Sequence, residues 1–387
     1  MKKLVIASAV SALFAAPAAF AQSAPAAAAP AAPAVPTLSQ VLDASGVTVS
    51  GYIDVATTHA DRNIDPNNGG FSDRVFDSQN NSINLHQFGL TVAKQPKEGF
   101  GGLVNITAGT DAEVIHSFPE PAGAQNGSSM FDLTQAYGQY ATGPLTVMFG
   151  KFTTLQGTEV IASPSNVNFS RSILFGAVPF THTGIRGVYA LNDMFTLTLG
   201  VNNGWDQISD ANKAKTVEAG ITITPVKSVT INLSDYNGKE PASGGGDGSR
   251  NSFNAVVSWN VIDPLTLGLE YLQVSQENTV IGTGIGTAKY DGFAGYITYM
   301  FSPKWRLVFR GEQFNDKDGF HFNTATGTKY KEGTLTLSWL PADAFEMRVE
   351  ARRDSADNAV FFSTNNTTGT ADEKNLTTFA IQGVYKF

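Results

Sequence analysis

No cysteine occurs among the 387 residues, which removes thiolate metal sites, cysteine nucleophiles and disulfide staples from consideration. Charge is scarce as well. Charged residues make up 16% of the chain, and 26 Lys and Arg stand against 34 Asp and Glu. That balance argues against a nucleic-acid partner, because phosphate binding needs a basic face. Beyond the first segment there is no apolar run approaching the roughly 20 residues of a membrane-spanning helix. The five histidines, His59, His86, His116, His182 and His321, share no recognisable catalytic spacing with a serine or carboxylate. Hydrolysis needs a nucleophile or activated water held beside a base, so no enzymatic activity, metal or cofactor is expected. His182, near the end of a long connection, is the one histidine to watch.

The chain opens on Lys2 and Lys3, continues through an apolar stretch from Leu4 to about Phe20, and reaches Ala19-Phe20-Ala21. A charged start, a short apolar stretch and small residues before the cut define a secretory signal peptide over 1–21. Its loss leaves the mature chain two charges more acidic than the −8 of the full sequence. Residues 22–36, QSAPAAAAPAAPAVP, are uncharged and almost entirely Ala and Pro, the composition of an extended, semi-rigid spacer. The sequence TLSQVLDA at 37–44 allows a turn or two of helix. Together 22–46 reads as a periplasmic tether.

From Val47 to Phe387 the dominant period is two, clearest in Phe195-Thr196-Leu197-Thr198-Leu199-Gly200-Val201-Asn202. Only strands put alternate residues on opposite faces. Strands are expected near 47–57, 82–94, 99–109, 131–142, 144–152, 183–191, 195–203, 215–225, 227–236, 251–260, 263–274, 288–301, 304–313, 329–340, 343–353 and 375–387. The count is sixteen, or fourteen or eighteen if strands merge or split around 130–152. Connections alternate between short ones, such as Asp263-Pro264, and long ones rich in Gly, Asn, Asp, Ser and Thr at 58–81, 110–130, 153–182, 237–250, 275–287, 314–328 and 354–374. Tight turns at one end and long loops at the other characterise an outer-membrane barrel. A soluble Greek-key sandwich would also alternate, but it would not need one apolar and one polar face on every strand. A ring with an apolar outside and a polar inside is stable where hydrocarbon covers the first and water fills the second. The fold expected is all-β, a transmembrane antiparallel up-and-down barrel over 47–387, with lipid as its outer partner. Trp259, Tyr299, Phe301, Trp305, Trp339, Tyr385 and Phe387 lie near strand ends on the outward parity, as interfacial girdles do.

The connection 153–182, TTLQGTEVIASPSNVNFSRSILFGAVPFTH, is the longest and most mixed. Gly150-Lys151-Phe152, Gly157-Thr158-Glu159-Val160-Ile161-Ala162-Ser163-Pro164, Asn168-Phe169-Ser170-Arg171-Ser172, Pro179-Phe180-Thr181-His182-Thr183-Gly184-Ile185-Arg186 and the terminal Tyr385-Lys386-Phe387 resemble the OmpL-like β-barrel porins of Gram-negative bacteria. The likeness is tight over about forty residues and architectural elsewhere. It implies a porin-type channel in the outer membrane, and a C-terminal Phe387 that serves the assembly machinery. By analogy with general porins, it also suggests association of three barrels.

Alternation sends Arg310 and Glu312, and Glu346, Arg348, Glu350 and Arg352, into the lumen, together with Arg186 and Glu270. A basic side chain facing lipid at the midplane would cost roughly 2–4 kcal/mol. The loop's Val160, Ile161, Ile173, Leu174 and Phe175 need a surface to pack on, since exposure forfeits roughly 1.5–3 kcal/mol each. The lumen wall is the nearest surface; the barrel rim or a neighbouring subunit would serve as well. Folded inward, the loop would form a constriction from Glu159, Arg171, Arg186, Arg310 and Arg348, where charges of both signs select permeants; ion pairs of the wall without any filtering role are the other reading. The function expected is passive diffusion of small hydrophilic solutes or ions. The alternative is a non-conducting barrel acting as an adhesin or envelope tether. Two further strings, Gly282-Thr283-Gly284-Ile285-Gly286 and Asp316-Lys317-Asp318-Gly319, lack the context of a dinucleotide or calcium site.

Overall fold

The computed structural model describes residues 36–65, 70–118, 129–324, 326–366 and 368–387. The signal peptide and nearly all of the Ala/Pro-rich segment expected at the N-terminus lie outside them. The first element is a helix, α1 (Leu38–Ser45). Thr37 and Gln40 form a reciprocal capping box, each side chain accepting from the other's backbone N–H at 3.3 and 2.9 Å. The helix stops because Gly46 takes φ +68°, so that Gly46 and Val47 donate back to the carbonyls of Asp43 and Leu42.

Residues 42–387 form one compact unit. Its strands are β1 (Thr48–Ala60), β2 (Ile83–Lys94), β3 (Gly99–Ala108), β4 (Phe131–Thr142), β5 (Leu145–Thr153), β6 (Thr181–Ala190), β7 (Phe195–Asn202), β8 (Thr216–Val226), β9 (Val229–Pro241), β10 (Asp247–Ile262), β11 (Leu265–Ile281), β12 (Gly284–Ser302), β13 (Trp305–Asp316), β14 (Thr328–Ala342), β15 (Phe345–Ala356) and β16 (Asn375–Lys386). Each pairs antiparallel with its sequence neighbours, and β1 pairs with β16, closing a sixteen-stranded barrel. Closure leaves no unpaired edge, which a strand in hydrocarbon requires. At the seam Gly51 and Phe387 exchange two backbone hydrogen bonds of 2.9 Å. The Phe387 ring covers Gly51, where a Cβ would come within 2.5 Å of it, so the glycine is what lets the terminal ring lie flat on the sheet.

The expected facing holds along the strands. Trp305, Leu307 and Phe309 are exposed on the outside of β13, whereas Arg310 and Glu312 are buried inside. On β15, Glu346, Arg348, Glu350 and Arg352 are likewise buried within. Turns of two residues, among them 263–264, 303–304 and 343–344, join strands at the end that holds both termini. Two expected long loops, 237–250 and 275–287, are instead hairpin extensions of β9 with β10 and β11 with β12, with only 242–246 and 282–283 left as turns. Their polar composition hid them. A ladder needs backbone pairing rather than apolar side chains; inward Glu240, Gln276 and Ala288 continue the alternation, and Thr279 resumes it beyond an irregularity at 277–278.

The main apolar core lies inside the ring. Ile173, Leu174, Ala177 and Val178 of the 154–180 segment pack with wall residues including Leu272, Tyr290, Tyr296, Phe314 and Tyr330, and with Phe71 and Phe361 from two other loops.

Candidate functional site

The segment 154–180 starts at the end of β5 and returns to β6, crossing the lumen between them. An irregular backbone inside a barrel must find partners for its N–H and C=O groups, and here charged wall residues supply them. Wall carboxylates take the amides. Glu350 accepts from Phe169 and Ser170 at 2.8 and 2.9 Å, Glu312 from Ile173 and Leu174 at 2.7 and 3.2 Å, and Glu270 from Thr158 at 2.9 Å. Wall arginines take the carbonyls. Arg348 donates to Asn166 and Asn168 at 2.7 and 3.1 Å, Arg352 to Arg171 at 2.6 Å, and Arg310 to Ser170 at 2.7 Å. Each bond has a charged partner and is therefore of the stronger kind. Ile173–Gly176 forms a single helical turn, α2, which Ser172 caps by accepting from Phe175 N–H.

Of the five residues expected at a constriction, the structure pairs two directly, Glu159 on the segment and Arg310 on β13. Arg310 Nη1 lies 2.7 Å from Glu159 Oε1, while its Nε meets Glu332 on β14 at 3.0 Å. Arg171 donates to the carbonyls of Val160, Phe169 and Ile161, so it folds the segment on itself. Phe76 and Phe175 flank its guanidinium at 5.4 and 5.6 Å. Burial draws Arg171 below its ordinary pKa, with Glu159 opposing the shift. Arg348 lies under Asn166 and Asn168 and pairs with Glu346 at 2.7 Å. Arg186 belongs to a different part of the wall, held by Glu218 of β8 at 2.6 Å and stacked on Phe152 at 4.0 Å. All five are buried.

Sequence reasoning named Glu312, Glu350, Arg352 and Glu270 as inward but did not see that they grip the segment. It named the 58–81 connection as a long loop but did not see that its residues reach the inner wall. Arg74 from that connection ion-pairs with Asp77 and with Asp354 of β15, and donates to Thr378 of β16 at 2.9 Å. Of the apolar loop residues, Ile161, Ile173, Leu174 and Phe175 are buried and Val160 remains exposed. His182 stacks on Tyr236 at 4.3 Å and its Nδ1 meets the Gly204 carbonyl.

The opposite wall differs. Inward Thr196, Thr198, Thr222 and Asn232 on the lower half of β7, β8 and β9 are only half-buried. Two cavities flank the crossing segment. One, of about 220 Å³, lies against Tyr52, Asn105, Thr134 and Gln135; the other, of about 150 Å³, lies against Ser258, Thr266 and Thr298.

A closed sixteen-stranded ring with an inward segment after β5 agrees with a family comparison that covers nearly the whole chain. The model described as "Putative beta-barrel porin-2, OmpL-like" matches residues 46–387. The chain belongs to the OmpL-like porin family. The barrel is thus an outer-membrane porin barrel of the Gram-negative type. The outer-membrane channel DcaP of Acinetobacter baumannii is 14% identical, with a TM-score of 0.63 over 88% of this chain and 97% of that one. The anion-selective porin from Comamonas acidovorans is 10% identical, with a TM-score of 0.62 over 88% and 99%. OmpT of Vibrio cholerae, in its in-vitro folded trimer form, is 13% identical, with a TM-score of 0.58 over 88% and 99%. No curated protein matches by sequence. In this porin the end bearing both termini is therefore periplasmic, and the long loops are extracellular.

Proposed function

We propose that this porin is a diffusion channel for small hydrophilic solutes or ions, narrowed by the 154–180 segment. The observation that carries the reading is the segment's uneven attachment. It is bonded to β10–β15 by charged side chains, to Asp54 and Gln87 of β1 and β2, and to Tyr236 in the upper half of β9, while the hydroxyl- and amide-bearing residues on the lower half of β7–β9 stay half-exposed. In this reading Glu159, Arg171, Arg310 and Arg348 fix the position of the narrowest point, and the Arg186–Glu218 pair supplies the facing wall. Residues 1–21 act as the export signal and 22–36 as a spacer. Phe387, covering Gly51 at the seam, is the residue offered to the assembly machinery. OmpT's trimer form supports three-fold association of this barrel too.

Planar-bilayer recording on the purified protein tests the channel, with stepwise conductance as the expected result. Singly replacing Glu159, Arg171 and Arg310 by Ala and measuring reversal potential in a salt gradient tests the constriction. Absence of steps would remove the channel reading; unchanged conductance and selectivity in all three variants would remove these residues from the narrow point.

A further inference from the structure

Among the described residues, the arginines of the inner wall are engaged in ion pairs with one exception. Arg186, Arg306, Arg310, Arg348 and Arg352 each hold a carboxylate within 4.0 Å. Arg250, facing inward near the extracellular end of β10, does not. Its Nε donates to Gln276 on the neighbouring strand, and its guanidinium is 4.6 Å from the Trp205 ring and 6.0 Å from that of Phe320. Two acids lie within its electrostatic reach, and both are otherwise occupied. Asp206 accepts the amides of Phe180 and Thr181 at 2.8 and 2.9 Å, and Glu240 accepts the Thr216 hydroxyl at 2.8 Å. Among the described residues, the Nη atoms of Arg250 have no hydrogen-bond or ion-pair partner.

Beside it is a cavity of about 220 Å³, lined by Phe180, Trp205, Asp206, Arg250, Tyr290 and Phe320 among others. Drug-sized ligands need about 300–1,000 Å³, so this space suits a single ring. The floor is preorganised. Tyr290 donates to the Ala177 carbonyl at 2.8 Å and stacks with Phe320 at 6.1 Å. His321, also lining the cavity, is pushed down to about 4 by burial, with Arg250 adding to the shift. It is therefore neutral at physiological pH, which leaves Arg250 as the cation on the lining and Asp206, its Oδ1 taken up by the amides of Phe180 and Thr181, as the acid.

We propose that this cavity is a capture subsite at the extracellular mouth for a small planar aromatic carboxylate. The carboxylate would take the fork of Arg250 Nη atoms, a bidentate geometry that guanidinium favours. The ring would lie on Phe180, Tyr290 and Phe320. Trp205, 4.6 Å from the guanidinium, steadies it by a cation–π contact. The subsite's purpose, loading solute above the narrow point, rests on the channel reading; its binding chemistry does not.

Binding and conduction are therefore measured separately. Purified full-length protein in detergent is titrated calorimetrically with benzoate, acetate and benzyl alcohol, and the same preparation is recorded in bilayers. The expected result is saturable benzoate binding, with acetate and benzyl alcohol each about tenfold weaker or more. R250Q should lose about tenfold or more in benzoate affinity, the scale of a charge-assisted hydrogen bond, and F320L a few-fold. If R250Q fails to fold, W205A reads the same site from a loop position and should weaken benzoate several-fold. Equal affinity in R250Q and the parent, or acetate binding as tightly as benzoate, would overturn the subsite. Conduction without benzoate binding would overturn it and leave the channel standing. Benzoate binding without conduction would support it and overturn the channel.

Discussion

The inner walls formed by β13–β16 and by β7–β9 belong to one ring, yet they solve the problem of a polar interior in opposite ways. On β13–β16 the inward residues are long and charged, and Arg310, Glu312, Arg348, Glu350, Arg352 and Asp354 are all buried. Burying so many charges is tolerated because each meets an opposite charge or the backbone of a loop. On the lower half of β7–β9 the inward residues are short and neutral, such as Thr198, Thr222 and Asn232, and they remain half-exposed, whereas Glu218, Tyr236 and Glu240 nearer the extracellular end are buried. The difference teaches what a charged lumen residue can be for. Here charge holds the crossing segment in place, and neutral hydroxyls and amides face the water path.

The heaviest blow to this asymmetry is R310A. It strands Glu159 and Glu332 in a buried site and removes the donor to Ser170. Breaking one partner of a buried pair costs about 3–5 kcal/mol. Both a lower thermal midpoint and a larger, noisier conductance are expected, and bilayer recording with thermal denaturation checks them. Next comes E350A, which leaves the amides of Phe169 and Ser170 and the Thr336 hydroxyl without their acceptor. About 1–3 kcal/mol is expected for such buried groups, and hydrogen exchange at 168–171 should accelerate while exchange in β7–β9 stays unchanged.

A third test uses pH. Asp73 of the 61–82 connection is buried and, among the described residues, has no hydrogen-bond partner on either carboxyl oxygen. Burial, with Asp354 adding to it, raises its pKa to about 8. The folded protein therefore holds a proton that the unfolded chain releases near 3.8. The stability this gives is complete below that value and is lost as pH rises through about 8. D73N stays neutral throughout. Its thermal midpoint should exceed the parent's by the widest margin above pH 8, with the gap closing towards pH 4; parallel midpoint curves across this range would contradict the assignment. The mildest change is T222K on the open wall. Stability should move by no more than about 0.5 kcal/mol, whereas the reversal potential should shift towards anion selectivity.

Much of this was legible before any coordinates. The period-two alternation specifies strand number and which side chains face lipid, because a pleated strand can do nothing else with alternate residues. It also displays the β15 ladder Glu346, Arg348, Glu350, Arg352 as an inward charged row. What alternation does not encode is the partner of each charge. Arg310 meets Glu159 and Glu350 meets Phe169 across 151 and 181 residues, and Arg74 reaches Asp354 across 280. Such contacts follow from barrel closure and loop path, which no local pattern records. The grouping of Trp205, Arg250 and Phe320 is hidden for the same reason. The extended hairpins of β9–β12 went unread because above the lipid both faces of a strand are polar, and the hydrophobic signal that marks strands disappears.

The absence of native cysteine permits a direct test of the two walls. T222C and T336C are prepared singly in the full chain, and labelling by a small charged, membrane-impermeant thiol reagent is followed together with single-channel conductance. The account predicts that T222C is labelled rapidly with a fall in conductance, while T336C, beneath Asn168 and Glu350, is labelled only when R310A is added. Rapid labelling of T336C in the otherwise intact protein, or a T222C that never reacts, would contradict it.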